Sequence, residues 1–148
     1  MSTRRVSLGI PVPRRTDEAA DSLPDTSDRP DTPALADRFG RSATDLRLSL
    51  TDFCNLRCTY CMPEQGNEWL ARTSILSTDE IVEVAEVAAA LGIRTFRLTG
   101  GEPLLRPDIV DVVRRISRIQ GEDGSVEVAM TTNGISLAQK LPALIDAG

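Results

Sequence analysis

The alternation of strand-like and helical patterns constrains the fold of this sequence more than any other feature. Three segments alternate apolar and polar residues with the period of a β-strand: Leu46–Thr51, Thr95–Thr99 and Val126–Asn133. Three others repeat apolar residues at helical spacing: Thr78–Leu91, Ile109–Ile116 and Leu137–Ala147. The order βαβαβα predicts an α/β fold with a parallel sheet, either open or part of a barrel.

Residues typical of helix ends support these boundaries. Ser77 and Glu80 have the spacing of a capping box at the start of the first helix, and Gly92 follows its last apolar residue. Pro107 suits the first turn of the second helix. Pro142 either interrupts or starts the third helix.

Each predicted strand has one apolar face and one polar face. Arg47 and Arg97 lie on the polar faces of the first two strands, and Thr131 lies on that of the third. Parallel strands covered by helices on both faces are apolar throughout, so we expect helices on one face only. The polar face either meets solvent or lines a barrel lumen that holds a polar ligand. The two arginines would suit anionic groups, but the strand pattern alone does not decide between these interpretations.

Residues 1–38 differ in composition from the rest of the chain. They are rich in Pro, Asp, Ser, Thr and Arg, and they contain few large apolar residues. Such a segment buries too little apolar area to offset the entropy cost of ordering it. An alternating stretch from Val6 to Val12 could extend, but Pro11 and Pro13 work against a stable strand. We therefore predict a disordered leader over residues 1–38 and one domain over residues 39–148.

The composition excludes several classes of function. The net charge of -5 argues against a dedicated nucleic-acid binder, whose surface would be basic. No apolar run approaches the ~20 residues of a membrane span, and the N-terminus lacks the apolar stretch of a secretory signal. We therefore expect a cytoplasmic protein with no membrane partner. The sequence contains no histidine, which excludes His-based triads and imidazole acid–base chemistry.

All three cysteines fall within eight residues, as Cys54-x3-Cys58-x2-Cys61 directly after the first predicted strand. A disulfide would leave one thiol over and needs an oxidising compartment. A structural zinc site needs four ligands, and the chain offers neither a fourth cysteine nor a histidine. Three thiolates on such a loop can also hold an iron–sulfur cluster, with one iron left open for a substrate or cofactor. These three interpretations compete on spacing alone.

The cysteine loop, with Tyr60 just before its last cysteine, resembles the signature of the radical S-adenosylmethionine (radical SAM) superfamily. The segment Thr99-Gly100-Gly101-Glu102-Pro103 follows the second strand and is similar to the superfamily's Gly-Gly-Glu-Pro segment. A Gly-Gly pair alone is a weak turn signal, but here the two motifs follow successive strands as they do in the superfamily. The resemblance implies the first half of a partial (β/α) radical SAM barrel, similar to a TIM barrel.

Within this superfamily, the chain resembles the GTP 3′,8-cyclase family. The particular features are the lead-in Asp45-Leu46-Arg47 and the exit Cys61-Met62-Pro63, together with Met130-Thr131-Thr132-Asn133-Gly134 at the third strand. The resemblance runs from about Phe39 to Gly148. It implies a lyase that converts GTP to (8S)-3′,8-cyclo-7,8-dihydroguanosine 5′-triphosphate in molybdenum cofactor biosynthesis.

The resemblance implies roles for the matching residues around the cofactors. Cys54, Cys58 and Cys61 would hold a [4Fe–4S] cluster whose fourth iron binds S-adenosylmethionine. One electron then cleaves the sulfonium to give a 5′-deoxyadenosyl radical, so no side chain is implied as catalytic. Tyr60 and Gly101 would contact S-adenosylmethionine, because a glycine lets the backbone approach closely.

For the substrate, the resemblance implies that Arg47, Arg97 and Thr131 contact GTP. All three belong to the polar strand faces described above, and this agreement favours a lumen over a solvent face. The resemblance also implies a downstream partner, the cyclic pyranopterin monophosphate synthase accessory protein. A homodimer is implied for the full-length family.

Full-length members of the family continue with further βα units and a second [4Fe–4S] cluster bound by cysteines. Cys54, Cys58 and Cys61 are the only cysteines here, so this chain cannot build the second cluster. We therefore expect a fragment of such an enzyme, or the product of a truncated reading frame, and we do not expect full activity from this chain alone. Two alternatives remain: another radical SAM enzyme of the peptide-modifying or activating type, and a non-catalytic cluster-binding remnant.

Overall fold

The structure is a computed structural model that describes residues 34–37, 39–61, 68–121 and 124–148. Its regular elements follow in the order β1 (Asp45–Ser49), α1 (Thr78–Ala90), β2 (Thr95–Thr99), α2 (Ile109–Ile116), β3 (Gln120–Gly121), β4 (Gly124–Ser125), β5 (Glu127–Met130) and α3 (Leu137–Ala147). The predicted alternation of strands and helices is confirmed. Strands β3 and β4 were not predicted, because they form a two-residue antiparallel ladder that is too short to show a period.

Strands β1, β2 and β5 form a parallel sheet in that order, as the sequence predicts. Leu46 aligns with Phe96, and Phe96 aligns with Val128. Arg47 aligns with Arg97 in the next row, and Arg97 aligns with Ala129. Since successive side chains of a strand point to opposite faces, this register gives the sheet one apolar and one polar face.

The helices cover the apolar face of the sheet. Phe96 and Leu98 of β2 are completely buried there, and the residues packed with them from α1 and α2 are Ile81, Ala85, Ala88, Ala89, Ile109, Val112, Val113 and Ile116. Helix α1 contacts α2, and α2 contacts α3, so the three helices form one layer. The prediction that helices cover one face is therefore confirmed. None of the helices in the described ranges is long and apolar enough to cross a membrane.

Strands β1 and β5 end earlier than the hydrophobic pattern predicts. The Leu50 amide still donates to the Thr99 carbonyl (2.9 Å), and the Thr131 amide donates to the Leu98 carbonyl (2.9 Å). After β1 the chain then turns away, because the Thr51 hydroxyl accepts the Phe53 amide (3.1 Å). The alternation of apolar and polar residues does not predict this turn, because Thr51 still fits the alternation.

The helix ends mostly follow the predicted signals. The capping box of Ser77 and Glu80 is present at the start of α1, and Gly92 follows its end with φ of 95°. Helix α2 begins at Ile109 after Asp108, so Pro107 precedes the helix and the predicted first-turn position is wrong by two residues. Helix α3 runs unbroken from Leu137 to Ala147 with Pro142 inside it, so the prediction that Pro142 interrupts or starts this helix is wrong.

Most of the predicted leader lies outside the described residues, and the boundary at residue 38 stays a prediction. Ala34–Asp37 are described, and they lie beside the end of α1. The Leu35 amide donates to the Leu91 carbonyl (3.2 Å), and the Ala43 amide donates to the Leu35 carbonyl (2.9 Å). Ala36 and Ser42 form an isolated antiparallel bridge. The chain therefore makes main-chain contacts with the domain from Leu35 onward.

Candidate functional site

The two predicted motifs meet at one edge of the sheet. The cysteine loop follows β1 and the Gly-Gly-Glu-Pro turn follows β2, and the carboxyl ends of parallel strands lie at the same edge. The Gly101 amide donates to the Thr51 carbonyl (2.7 Å), and the Glu102 amide donates to the Phe53 carbonyl (2.8 Å). These two main-chain bonds attach the turn directly to the residues that lead into Cys54.

The two glycines of the turn are required by this close approach. A Cβ at Gly100 would lie 2.2 Å from the Thr51 oxygen, and Gly100 also has a φ of 131°. A Cβ at Gly101 would lie 2.3 Å from the Phe53 oxygen and 2.4 Å from the Asp52 oxygen. No side chain fits at these distances, so the Gly-Gly pair allows the backbone of the turn to reach the cysteine loop.

The three cysteines are free thiols on one loop, but the structure does not bring them into a common centre. Cys54 and Cys58 are half-buried and Cys61 is exposed. The Leu56 amide donates to Cys54 Sγ (3.4 Å), and the Cys61 amide donates to the Cys58 carbonyl (2.9 Å). Within the described ranges, no group of three or more His, Cys, Asp or Glu side chains could hold a metal ion.

The chemistry of these donors fits an iron–sulfur cluster. Thiolates are the usual ligands of such clusters, and three free thiols lie here within eight residues at an accessible sheet edge. The glycine turn beside them offers a backbone surface free of side chains, which suits close contact with a bound cofactor. The ligand roles of Cys54, Cys58 and Cys61 stay predictions, because the three sulfur atoms together do not form one metal centre within the described residues.

Tyr60 projects from this loop into solvent, with 88% of its surface exposed. Negative charge on Cys58, and secondly on Cys61, raises the pKa of the Tyr60 phenol above its ordinary value. The phenol and these two sulfur atoms are therefore neighbours. The proposed contact between Tyr60 and S-adenosylmethionine is not tested by this geometry.

Glu102 is the residue at this edge that the sequence analysis did not assign. It is 1% exposed, and its Oε1 accepts hydrogen bonds from the Leu104 amide (2.9 Å) and the Thr132 hydroxyl (2.7 Å). Its Oε2 accepts the Asn133 amide (2.6 Å). One buried carboxyl group thus joins the turn after β2 to the end of β5. The sequence feature that could have indicated this buried role is a single acidic residue between Gly101 and the apolar run from Pro103 to Leu105.

Asn133 completes the connection to the cysteine loop. Its Nδ2 donates to Asn55 Oδ1 (2.8 Å) and lies 3.9 Å from Cys54 Sγ. Glu102 and Asn133 together attach the segment after β5 to both earlier motifs. The ends of all three parallel strands are therefore tied into one structure around Cys54.

Arg47, Arg97 and Thr131 lie on the polar face of the sheet, as predicted, and all three are exposed. Arg47 and Arg97 are direct neighbours in the β1–β2 register. Thr131 lies two residues beyond Ala129, the partner of Arg97, and is therefore closer to the carboxyl ends of the strands. Its amide donates to the Leu98 carbonyl on the central strand. Neither guanidinium has a hydrogen bond or ion pair with another described residue. Two like charges side by side on a sheet repel each other, so this pair favours an anionic ligand.

A third arginine, Arg106, supports the site through contacts at the ends of β1 and α1. Arg106 donates to both carboxyl oxygens of Asp108 (2.8 and 3.0 Å), to the Leu50 carbonyl (2.9 Å) and to the Leu76 carbonyl (2.8 Å). The hydrogen bonds from Arg106 lower the pKa of Asp108 to about 2. Arg106 thereby fixes the end of β1 against the start of α1. The sequence analysis did not identify this role.

A cavity of about 610 Å³ lies beside Arg106 and is also lined by Asp52, Phe53, Trp69 and Leu70. Its lining contains none of the three cysteines, and it excludes Arg47 and Arg97. The Asp52 Oδ2 accepts the Leu70 amide (2.6 Å), and the rings of Phe53 and Trp69 meet edge to face at 5.3 Å. The cavity is therefore separate from the predicted site, which is open on the polar face.

Comparisons with known proteins agree with these motifs. The sequence profile of the Radical SAM superfamily matches residues 48–148. A GTP 3′,8-cyclase of Paenarthrobacter nicotinovorans is 52% identical over 115 residues, which are 77% of this chain and 32% of that protein. Molybdenum cofactor biosynthesis protein 1 of Homo sapiens is 49% identical over 114 residues, which are 77% of this chain and 18% of that protein.

Another relative extends the similarity into the predicted leader. A GTP 3′,8-cyclase of Corynebacterium glutamicum strain R is 43% identical over 156 residues, and the alignment covers 99% of this chain. It covers 41% of that relative. The chain thus spans about a third of the length of the curated bacterial relatives described here.

Proposed function

Because this chain belongs to the Radical SAM superfamily, we propose that it forms the part of a GTP 3′,8-cyclase that binds a [4Fe–4S] cluster and S-adenosylmethionine. The main support for this proposal is that main-chain hydrogen bonds from Gly101 and Glu102 attach the Gly-Gly-Glu-Pro turn to the cysteine loop. The names and identities of the curated relatives support the cyclase over other radical SAM enzymes. When bound, the cluster and S-adenosylmethionine would supply reductive radical chemistry.

The chain's own residues would bind and orient these groups. Cys54, Cys58 and Cys61 would ligate the cluster through their thiolates, leaving one iron for S-adenosylmethionine. The backbone at Gly101 would contact S-adenosylmethionine where a side chain cannot fit. Tyr60 would lie against the same cofactor from the cysteine loop.

The polar face would form one wall of the substrate site. Arg47 and Arg97 lie in register, and each guanidinium can offer paired N–H donors to phosphate oxygens of GTP. Thr131 is placed between them and the cysteine loop, so it would contact the substrate nearer to the cofactor. The product would pass to the cyclic pyranopterin monophosphate synthase accessory protein. Homodimer formation belongs to the same proposal for the full-length protein.

Replacing Cys58 by serine tests the cluster assignment. After anaerobic incubation with iron and sulfide, the unchanged chain should bind about four iron and four sulfide ions. The Cys58→Ser variant should lose most of both, because a serine hydroxyl is a much poorer ligand than a thiolate at neutral pH. Iron and sulfide analysis and visible absorption measure the loss.

Thr59→Ala is the matched control, since Thr59 is an exposed neighbour on the same loop. It should bind as much iron and sulfide as the unchanged chain. The assignment is wrong if the unchanged chain binds no cluster, or if Cys58→Ser binds as much as the control does.

Replacing both arginines by glutamine tests the GTP site. Calorimetry on the chain carrying its cluster should show GTP binding weakened on the order of 100-fold in the Arg47→Gln, Arg97→Gln variant. Arg118→Gln, an exposed arginine beyond α2, should leave binding unchanged. A chain that takes up the cluster but binds no GTP would favour a peptide-modifying or activating radical enzyme. Equal binding by the double variant and the control would remove Arg47 and Arg97 from the site.

A further inference from the structure

An apolar groove runs along one side of α1, between this helix and Leu35. It has a volume of about 360 Å³ and is lined by Leu35, Val84, Val87, Ala88 and Leu91, with Glu83 at its border. The helix positions repeat every three or four residues, so they form one stripe. Val84, Val87 and Leu35 are 42%, 57% and 45% exposed, which leaves a row of large apolar side chains uncovered. We refer to this surface as the α1 groove.

The segment that precedes the domain reaches this groove at the C-terminal end of α1. The Leu35 amide donates a hydrogen bond to the Leu91 carbonyl at one end of the groove. A Cβ at Gly92 would lie 3.8 Å from Ala34 Cβ. Everything that precedes Ala34 is therefore tethered at the α1 groove. The 33 residues before Ala34 lie outside the described ranges.

One stretch of these residues has the right apolar pattern to cover the groove. Val6, Leu8, Ile10 and Val12 occur at every second position, so an extended chain would place all four on one side. Pro11 and Pro13 remove two amide donors, which disfavours pairing with a sheet edge but leaves side-chain packing unaffected. The pattern therefore suits the surface of a helix better than the edge of a strand.

The charges of the two surfaces are complementary. Residues 1–15 contain four arginines and no acidic residue: Arg4, Arg5, Arg14 and Arg15. Helix α1 contains four acidic residues and no basic one. Asp79 pairs with Arg115 and Glu80 caps the helix with Ser77, which leaves Glu83 and Glu86 for a further basic partner. The arginines flank the apolar stretch at both ends, and Glu83 borders the groove. Attraction between the two would add to the apolar contact.

The connecting chain is long enough to allow this contact. Between Val12 and Ala34 lie 21 residues, and a flexible segment of that length has a typical end-to-end distance of about 25 Å. From Val84 to Leu91 the α1 groove measures about 10 Å along the helix axis. The tether therefore keeps the apolar stretch at a high local concentration near the groove.

We propose that residues 4–15 dock in the α1 groove of their own chain. Val6, Leu8, Ile10 and Val12 pack on Val84, Val87 and Leu35, and the flanking arginines lie beside Glu83 and Glu86. Residues 16–33 connect this stretch to Ala34. This inference is independent of the cofactor and substrate assignments.

Amide hydrogen exchange of the full chain tests the docking. Amides of residues 6–10 should exchange at least about fivefold more slowly than their random-coil rates. The Val84→Ser, Val87→Ser variant should return them to random-coil rates, since it removes the exposed apolar contacts without touching the core. Ile145→Ser is the matched control, because Ile145 is a 69% exposed apolar residue on α3, and it should leave the protection unchanged. Random-coil rates in the unchanged chain, or protection that persists in the double variant, would overturn the proposal.

A photo-crosslinking amino acid in place of Ser7 locates the contact. It should form bonds to residues of α1 within the same chain, and Glu83→Lys with Glu86→Lys should reduce the yield. Mixing isotopically light and heavy chains separates contacts within a chain from those between chains. Crosslinks found mainly between chains would show a second copy in the groove, and crosslinks that avoid α1 would show a different surface. Either result contradicts the proposal.

Discussion

Replacing Gly101 by alanine is expected to lower the free energy of unfolding by about 3 kcal/mol, the upper part of the range for overpacking. The added Cβ would lie 2.3 Å from the Phe53 oxygen and 2.4 Å from the Asp52 oxygen. Both atoms are backbone atoms, so no side-chain rotation can relieve the overlap. The cysteine loop must move away and lose its bonds from Gly101 and Glu102. Urea denaturation measures the change, and iron content after incubation with iron and sulfide should fall with it.

Gly134→Ala separates steric overlap from backbone strain. Gly134 has a φ of 80°, but a Cβ there would meet nothing within 4 Å. Its substitution should cost only about 1 kcal/mol, the usual penalty for a left-handed conformation. If both alanine variants lose the same stability, the close approach of the Gly-Gly-Glu-Pro turn to the cysteine loop is not what requires Gly101.

Replacing Glu102 by alanine is the second large effect, and we expect a loss of about 3 kcal/mol in unfolding free energy. Three donors would lose their acceptor together: the Leu104 amide, the Thr132 hydroxyl and the Asn133 amide. Each buried donor left unpaired costs about 1–3 kcal/mol, although relaxation and water entry recover part of the sum. Urea denaturation measures the loss, and faster amide exchange at Asn133 would locate it.

The conservative variant Glu102→Gln distinguishes hydrogen bonding from packing. Glutamine keeps the shape and can still accept the two bonds made by Oε1, but its amide group would face the Asn133 amide as donor to donor. We expect an intermediate loss for this variant and almost none for Glu127→Gln, an exposed glutamate on β5. If Glu102→Gln is as stable as the unchanged chain, the bond to Asn133 does not hold the segment after β5.

The sequence predicts the fold well where one residue pattern settles the local structure. The period of Leu46–Thr51 and Thr95–Thr99 indicates strands with one apolar face, and the parallel register confirms it. Ser77 and Gly92 mark the ends of α1 because a capping hydroxyl and a positive φ each need particular residues. The β3–β4 ladder escapes prediction because two residues cannot show a period.

The candidate site is predictable only as a list of residue types. Spacing places Cys54, Cys58 and Cys61 on one loop, and alternation places Arg47 and Arg97 on one face. The role of Glu102 depends on Thr132 and Asn133, about thirty residues later in the chain. A contact between segments so distant leaves no local pattern in the sequence. The hydrogen bonds from Thr132 and Asn133 to the Glu102 carboxyl group are therefore found only in the structure.

The order of the strands in the sheet has a consequence for synthesis of the chain on the ribosome. Strands β1, β2 and β5 pair in the order in which they are translated, so each new strand meets a completed neighbour. The two bonds from Gly101 and Glu102 to the cysteine loop can form once residue 102 has left the exit tunnel. The loop that carries Cys54, Cys58 and Cys61 would thus be positioned co-translationally, before β5 has left the exit tunnel.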